Sequence, residues 1–502
     1  MSESASVHDR STWQARAAQL RPHGRALIDG KTRSALSGAT FDCISPIDGR
    51  ILAAVAACDT ADVDVAVTAA RAAFERGDWT RQPPAARKRV LQRFAELIEQ
   101  SAERLALLET LDTGKPIRDS VSVDVPATAR CLRWYAEAVD KIYGEVAPTD
   151  GDSLALITRE PVGVVGAIVP WNFPMIMAAW KIGPILAAGN SLVLKPSEKS
   201  PLTAIALGEL ALEAGLPAGV FNVVPGFGPA AGSALALHPD VDAIAFTGST
   251  ATGKLIMQYA GQSNLKRVSL ECGGKSPNIV MADYPDLARA ARAAAAAIFF
   301  NQGEMCSAGS RLLVQEPVRA LMLEQIAEIA GQMSPGDPLD PETRLGALID
   351  EPQTRRVMSY IDAGRSDGAN LVLGGRRVRA ETRGCYVEPT IFDRVQPAMR
   401  IAREEIFGPV LSVIAFSDLD EAVRIGNDTS YGLAAAVWTR DITAAHRAAR
   451  ALRAGVVYVN CYDADDMTVP FGGFRQSGFG RDKSLHALDK YTELKTTWID
   501  LG

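Results

Sequence analysis

Residues 162–198 read VGVVGAIVPWNFPMIMAAWKIGPILAAGNSLVLKPSE. A β-branched apolar run at 162–169 gives way to a proline-bounded turn. A longer apolar segment, 175–188, then stops at Gly189, and a second short run occupies 191–194. The short runs suit strands buried on both faces, and the segment between them has the length of a helix. Strand, crossover helix and strand form the unit of a parallel sheet. The alternation continues with a helix at 202–214 closed by Gly215, a strand at 220–224 and a short helix at 230–237. A strand at 242–246, a helix at 249–260 and a strand at 267–270 follow. The pattern predicts a doubly wound α/β domain, and such sheets bind ligands beyond the carboxyl ends of their strands.

Upstream, 11–20 reads as a short helix and 26–28 as a strand entering a turn at Asp29 and Gly30. Leu91, Phe94, Leu97, Ile98, Leu105 and Leu108 recur at helical spacing, which predicts one helix over 85–111, stopped by Gly114 and Pro116. A second alternating series runs from 278–281 to 456–459 and predicts a second α/β domain. The tail, 490–499, alternates like an edge strand, and its position suggests pairing with another subunit.

At 502 residues the chain is too long for one ordinary core. A net charge of −6 supplies no broad basic surface, which argues against a nucleic-acid partner. The first residues are polar and acidic, unlike a secretory signal. Two uncharged stretches, 161–180 and 214–237, are broken by Gly and Pro and read as buried elements rather than membrane spans. The seven cysteines are scattered, with no CxxC and no zinc-ligand spacing, so free thiols in a reducing cytoplasm and no metal are expected.

The second domain opens near 301–310, NQGEMCSAGS, which places Cys306 in a glycine-flanked loop between an Ala-rich helix and a short strand. A structural cysteine usually packs inside a periodic element; a loop cysteine with small neighbours leaves its sulfur approachable. Asn172, between two aromatics and two prolines, is stiffly held and its amide could donate to an oxyanion. Glu271 ends an apolar strand, where desolvation would make a general base, although an ordinary strand-end ion pair fits equally. Gly248 and Ser249 join a strand to a helix, a setting for an anion or for plain turn chemistry. Lys195 and Glu198 follow another strand and suit ribose hydroxyls or a solvated loop. None of the five histidines neighbours these segments, so a Cys–His hydrolase has no positive support.

Taken together, PWNFP at 170–174, KPSE at 195–198, FTGS at 246–249, LECGGKS at 270–276, NQG through Cys306, EEIFGP at 404–409 and PFGG at 470–473 resemble the aldehyde dehydrogenase superfamily, in family order. The tail, DMTVPFGG followed by GRDKSLHALDKYTELKTTWI, is similar to γ-glutamyl-γ-aminobutyraldehyde and guanidinobutyraldehyde dehydrogenases. The resemblance implies a Rossmann-like cofactor domain over 1–140 and 160–274, an α/β catalytic domain over 275–475, and a small β oligomerisation element from 141–159 and 476–502. It implies Cys306 as nucleophile, Glu271 as deacylation base and Asn172 as oxyanion donor. It also implies an NAD site at Ile168, Pro170, Trp171, Lys195, Glu198, Gly228, Gly248, Ser249, Glu405 and Phe407, with NADP weaker. Asp124, Asp463 and Asp465 are implied as substrate contacts for a cationic aldehyde, and a homodimer or homotetramer is implied. A broad aliphatic aldehyde dehydrogenase, a Cys esterase or acyl-transferase, and an inactive structural relative are the alternatives. One departure from the family pattern is Cys272, where members commonly carry leucine.

Overall fold

The computed structural model describes residues 8–502; the first residues, read above as unlike a secretory signal, lie outside it. Five strands run parallel in the first sheet: β1 (Val164–Ile168), β2 (Ser191–Lys195), β3 (Phe221–Val223), β4 (Ala243–Thr247) and β5 (Arg267–Glu271). Their order across the sheet is β3-β2-β1-β4-β5. The chain therefore reverses direction of travel between β1 and β4, and this switch opens a crevice at their carboxyl ends. Register aligns Ile168 with Lys195 and with Phe246, and Thr247 with Glu271, so the predicted site segments leave the sheet along one edge. The sheet is mixed: antiparallel strands extend it to eight, with Ala26–Ile28 and Lys31–Arg33 beyond β3 and Gly478–Phe479 beside β5. Apolar clusters cover both faces.

The second sheet has seven strands, of which β6 (Pro277–Val280), β7 (Arg311–Gln315), β8 (Thr390–Asp393), β9 (Val410–Phe416), β10 (Ala434–Trp438) and β11 (Val456–Val459) are parallel. Its own apolar cores flank it. The third sheet is three-stranded and antiparallel: Thr492–Asp500 pairs along its whole length with Ser153–Pro161, which pairs in turn with Glu145–Ala147. The tail strand is its outer edge, and Leu494 and Trp498 lie exposed on it.

Two expectations need correction. The helix expected over 85–111 is two, Pro84–Gln100 and Ala102–Thr113, parted at Ser101 (φ −97°, ψ 13°). Ser101 has no apolar side chain to bury and leaves the α region, yet the apolar stripe continues across the break, so periodicity alone does not show it. Residues 478–479, assigned above with the oligomerisation strand, instead pair with Leu270 and Glu271 in the first sheet. Among the described residues no helix is long and apolar enough to cross a membrane.

Candidate active site

The loop at 301–306 is held in a conformation that its sequence would not adopt alone. Asn301 and Gln302 have φ of 48° and 57°, in the left-handed region, and Gly303 follows at 73°. Such φ values cost a non-glycine residue about 1–2 kcal/mol each, so the surroundings must fix them. They do: Asn301 Nδ2 donates to the Asn172 carbonyl at 3.0 Å, Gly346 N donates to Gln302 Oε1 at 3.1 Å, and Ile349 N donates to Glu304 Oε1 at 3.0 Å. Asn172 Nδ2 donates to the Glu304 carbonyl at 2.8 Å. A primary amide has two N–H groups, so this bond fixes Asn172 and leaves the second for a ligand.

A cavity of about 550 Å³ brings Asn172, Glu271 and Cys306 together. Gly274 makes room for the Cys306 loop, since a Cβ there would lie 2.5 Å from the Cys306 carbonyl oxygen. Burial pushes the Cys306 thiol up, and Glu271, Glu405 and Asp463 add to the shift. Burial likewise holds the Glu271 carboxyl well above its usual range, with Asp482 adding to the rise and Lys181, Lys490 and Arg481 opposing it. Among the described residues neither Glu271 oxygen has a hydrogen-bond partner. A buried carboxyl left without partners is costly, which marks it as a group kept for chemistry or for an additional molecule.

The same cavity runs on to Trp171, Gly248, Ser249, Glu405 and Phe407. Ser249 caps the helix Thr250–Gln262, its side chain accepting from Thr252 N at 3.2 Å, so the positive end of that helix opens beside the cavity. Glu405 reaches this wall because residue 273 is glycine: a Cβ there would meet Glu405 Oε2 at 2.0 Å. Glu405 Oε1 accepts from Gly274 N at 3.1 Å, and burial pushes its carboxyl up to about 7. Phe407 (φ 61°) packs edge-on against Trp171, and Gln353 Nε2 donates to its carbonyl at 2.6 Å. Ile168 ends β1, and Pro170 lines the cavity beyond it. Lys195, Glu198 and Gly228, expected to meet the cofactor, are not in the lining of that cavity. Lys195 Nζ donates to the Pro196 carbonyl (2.7 Å) and to Glu198 Oε2 (3.3 Å), while Gly228 starts an exposed turn whose Gly232 faces the Lys195 stem. A cavity whose lining holds a helix N-terminus at Ser249, the Glu405 carboxylate and the Trp171–Phe407 pair suits a dinucleotide.

The acidic residues predicted to meet substrate separate into three cases. Asp124 is corrected: it is 1% exposed, its Oδ1 accepts from Lys115 Nζ at 2.9 Å, and it does not face the cavity. Asp465 lines the mouth but is ion-paired with Lys483 and lies 3.5 Å from Arg130, so its charge is already answered. Asp463 lines the cavity and accepts from Oγ of Ser307, the residue after Cys306, at 3.2 Å. Its surface meets the cavity while protein surrounds it, and burial raises its carboxyl. Sequence reasoning missed the cations behind Glu271. Lys181, in the apolar helix Pro174–Ala187, is ion-paired with the buried Asp482, which also accepts from Lys490 at 2.5 Å. A lone lysine in an apolar helix was the available signal, because a buried charge needs a partner.

Residues 33–497 match the Aldehyde dehydrogenase family. The NADP/NAD-dependent aldehyde dehydrogenase PuuC of Escherichia coli (strain K12) is 56% identical over 98% of this chain and 99% of its own. An indole-3-acetaldehyde dehydrogenase solved with NAD+ superposes with a TM-score of 0.98 at 63% identity, covering 99% of this chain and 100% of its own. The γ-glutamyl-γ-aminobutyraldehyde dehydrogenase of Burkholderia cenocepacia J2315 gives 0.97, also at 63% identity and covering 99% and 100%. With the family's model matching residues 33–497 and a relative 56% identical over 98% of its length, the chain belongs to the aldehyde dehydrogenase family.

Proposed function

We propose that this protein oxidises an aldehyde to the carboxylic acid with NAD, through a covalent adduct on Cys306. The observation that carries this is the meeting of Cys306, Asn172 and an unpartnered Glu271 in the cavity that continues to the Ser249 helix end. The Cys306 sulfur attacks the aldehyde carbon, and the free Asn172 N–H receives the oxygen as it gains charge. NAD, when bound, supplies the acceptor for the hydride that leaves this carbon. The resulting thioester is attacked by water, Glu271 takes the water's proton, and the carbon–sulfur bond breaks to release the acid. Glu271 is also free to accept the original thiol proton, provided it passes that proton to solvent before hydrolysis. Mixing protein, NAD and an aldehyde panel while following NADH absorbance tests the reading; no NADH with any aldehyde overturns it.

Glu198 is the residue we assign to the ribose hydroxyls, with Lys195 beside it. A 2′-phosphate would meet the Glu198 carboxylate, at a cost of roughly 1–3 kcal/mol, or about tenfold to a hundredfold against NADP. The Lys195 ammonium, 3.3 Å from that carboxylate, moderates the penalty without cancelling it. Glu198→Gln is expected to bring the kcat/KM values for NAD and NADP within about threefold; equal values in the unaltered enzyme refute the assignment.

The aldehyde we favour carries an amine or guanidinium, because Asp463 forms no ion pair with a lysine or arginine among the described residues, feeling Lys483 only at longer range, whereas Asp465 has two cations. Names of similar proteins, such as the γ-glutamyl-γ-aminobutyraldehyde dehydrogenase, point the same way. Asp463→Asn is expected to raise KM for γ-aminobutyraldehyde about tenfold and for an uncharged aldehyde of equal length less than about threefold. Asp465→Asn should discriminate much less. The aromatic wall of Trp180, Phe300 and Phe471 supports a second reading, a broad apolar specificity. A kcat/KM higher for indole-3-acetaldehyde than for the amine substrate decides for it. We assign 1–140 with 160–274 to the cofactor domain, 275–475 to the catalytic domain, and the exposed edge strand Thr492–Asp500 to a homo-oligomer contact.

A further inference from the structure

Asp482 is fully buried, and two lysines from different parts of the chain grip it. Lys181 comes from the helix Pro174–Ala187 and pairs with Oδ2; Lys490 ends the short helix Leu485–Lys490 and donates to Oδ1 at 2.5 Å. The side chains of the two lysines are only 1% and 9% exposed. Backbone bonds join Asp482 to Phe471 in both directions, at 2.7 and 2.8 Å. The next residue, Gly472, lies so close to Glu271 that a Cβ there would stand 2.6 Å from its Oε1. Glu271, at the cavity wall, thus has Asp482 and its two ammonium groups buried behind it. The other titratable or charged groups facing Glu271 are Cys306, Cys272, Tyr491 and Arg481; Arg481 is partly exposed and spends its guanidinium on the Gly473 and Gly480 carbonyls.

We propose that Lys490 is a positioning residue for thioester hydrolysis: with Lys181 it clamps Asp482 and balances the charge around Glu271, leaving the Glu271 carboxylate ready to take the water's proton. The proposal rests on Glu271 being the deacylation base. The two carboxylates and two ammonium groups sum to zero beside the partly exposed Arg481 guanidinium; losing Lys490 makes the sum one unit more negative, and Glu271 is the group that can offset it by staying protonated. Burial already favours that outcome, and Asp482 adds to it.

The test is the pH dependence of acyl-enzyme hydrolysis, measured directly after a first turnover of the full-length protein with NAD and aldehyde. Removing a neighbouring positive charge stabilises the neutral carboxyl, so the ascending limb of the profile moves to higher pH. For Lys490→Met the expected shift is about one pH unit upward, with hydrolysis about tenfold slower at pH 7. Lys490→Arg should restore the limb. The double variant Lys490→Met with Asp482→Asn removes one charge of each sign, leaves the local sum unchanged for folding, and should also return the limb near its original place. A limb unmoved in Lys490→Met, or left displaced in the double variant if the single variant fails to fold, overturns the proposal. The NADH burst reports separately on the nucleophile, and Glu271→Gln on the base, so failure here is distinguishable from failure of the proposed reaction.

Discussion

Cys306→Ala is expected to lower turnover at least about 10⁴-fold while leaving NAD binding within about twofold. Alanine removes the sulfur without adding bulk, and the loop is held through the side chains of Asn301, Gln302 and Glu304, bonded to Asn172, Gly346 and Ile349, rather than by the thiol. Glu271→Gln separates the two half-reactions. It keeps the shape and removes the base, so NADH should rise once to about the enzyme concentration and then crawl, with hydrolysis slowed roughly 10²- to 10⁴-fold. Isothermal titration with NAD and stopped-flow absorbance provide the two readouts. Full steady-state activity in either variant contradicts the assignment.

Gly303→Ala should be the most damaging small substitution in the loop. The residue sits at φ 73°, and a Cβ would meet the Gly408 carbonyl oxygen at 2.3 Å and its carbon at 2.4 Å. Left-handed strain contributes about 1–2 kcal/mol, and contact with rigid backbone makes a total of about 2–4 kcal/mol reasonable. Gly408 leads into β9 and follows Phe407, so a displaced 407–409 segment also disturbs the cavity wall at Glu405 and Phe407. Expected results are a lower melting temperature and a burst slowed at least about tenfold. An alanine variant with unchanged melting and an unchanged burst shows that the loop can relax around the methyl group.

The two sheets were legible because buried parallel strands appear as uninterrupted apolar runs and because glycines such as Gly189 and Gly215, with φ of 93° and 97°, punctuate their helices. Cys306, Asn172 and Glu271 stood out through local setting, but only the fold brings residues 172, 271 and 306 to one cavity. The break at Ser101 was hidden by a stripe that continues across it. A two-residue strand such as Gly478–Phe479 leaves no periodic trace. Asp124 and Asp463 are the same residue type in segments that both border the site. One meets Lys115, nine residues earlier in the chain, and the other meets the cavity. The cluster behind Glu271 draws on residues 181, 482 and 490, and no local pattern announces a charge pair spanning some three hundred residues.

The pairing of Gly478–Phe479 with Leu270–Glu271 also bears on when the protein becomes an enzyme during its synthesis. Cys272 N donates to the Ser477 carbonyl at 2.9 Å, and Ser477 Oγ donates to the Gly273 carbonyl at 2.7 Å, so the strand carrying the base is finished by residues made some two hundred positions later. The first sheet's inner strands are complete once residue 271 has left the ribosome, yet its last edge stays open until nearly the whole chain has followed. A nascent chain therefore carries an exposed sheet edge and an incompletely framed Glu271 while roughly the next two hundred residues are made. The cover over that edge and the final framing of Glu271 arrive in the same closing step.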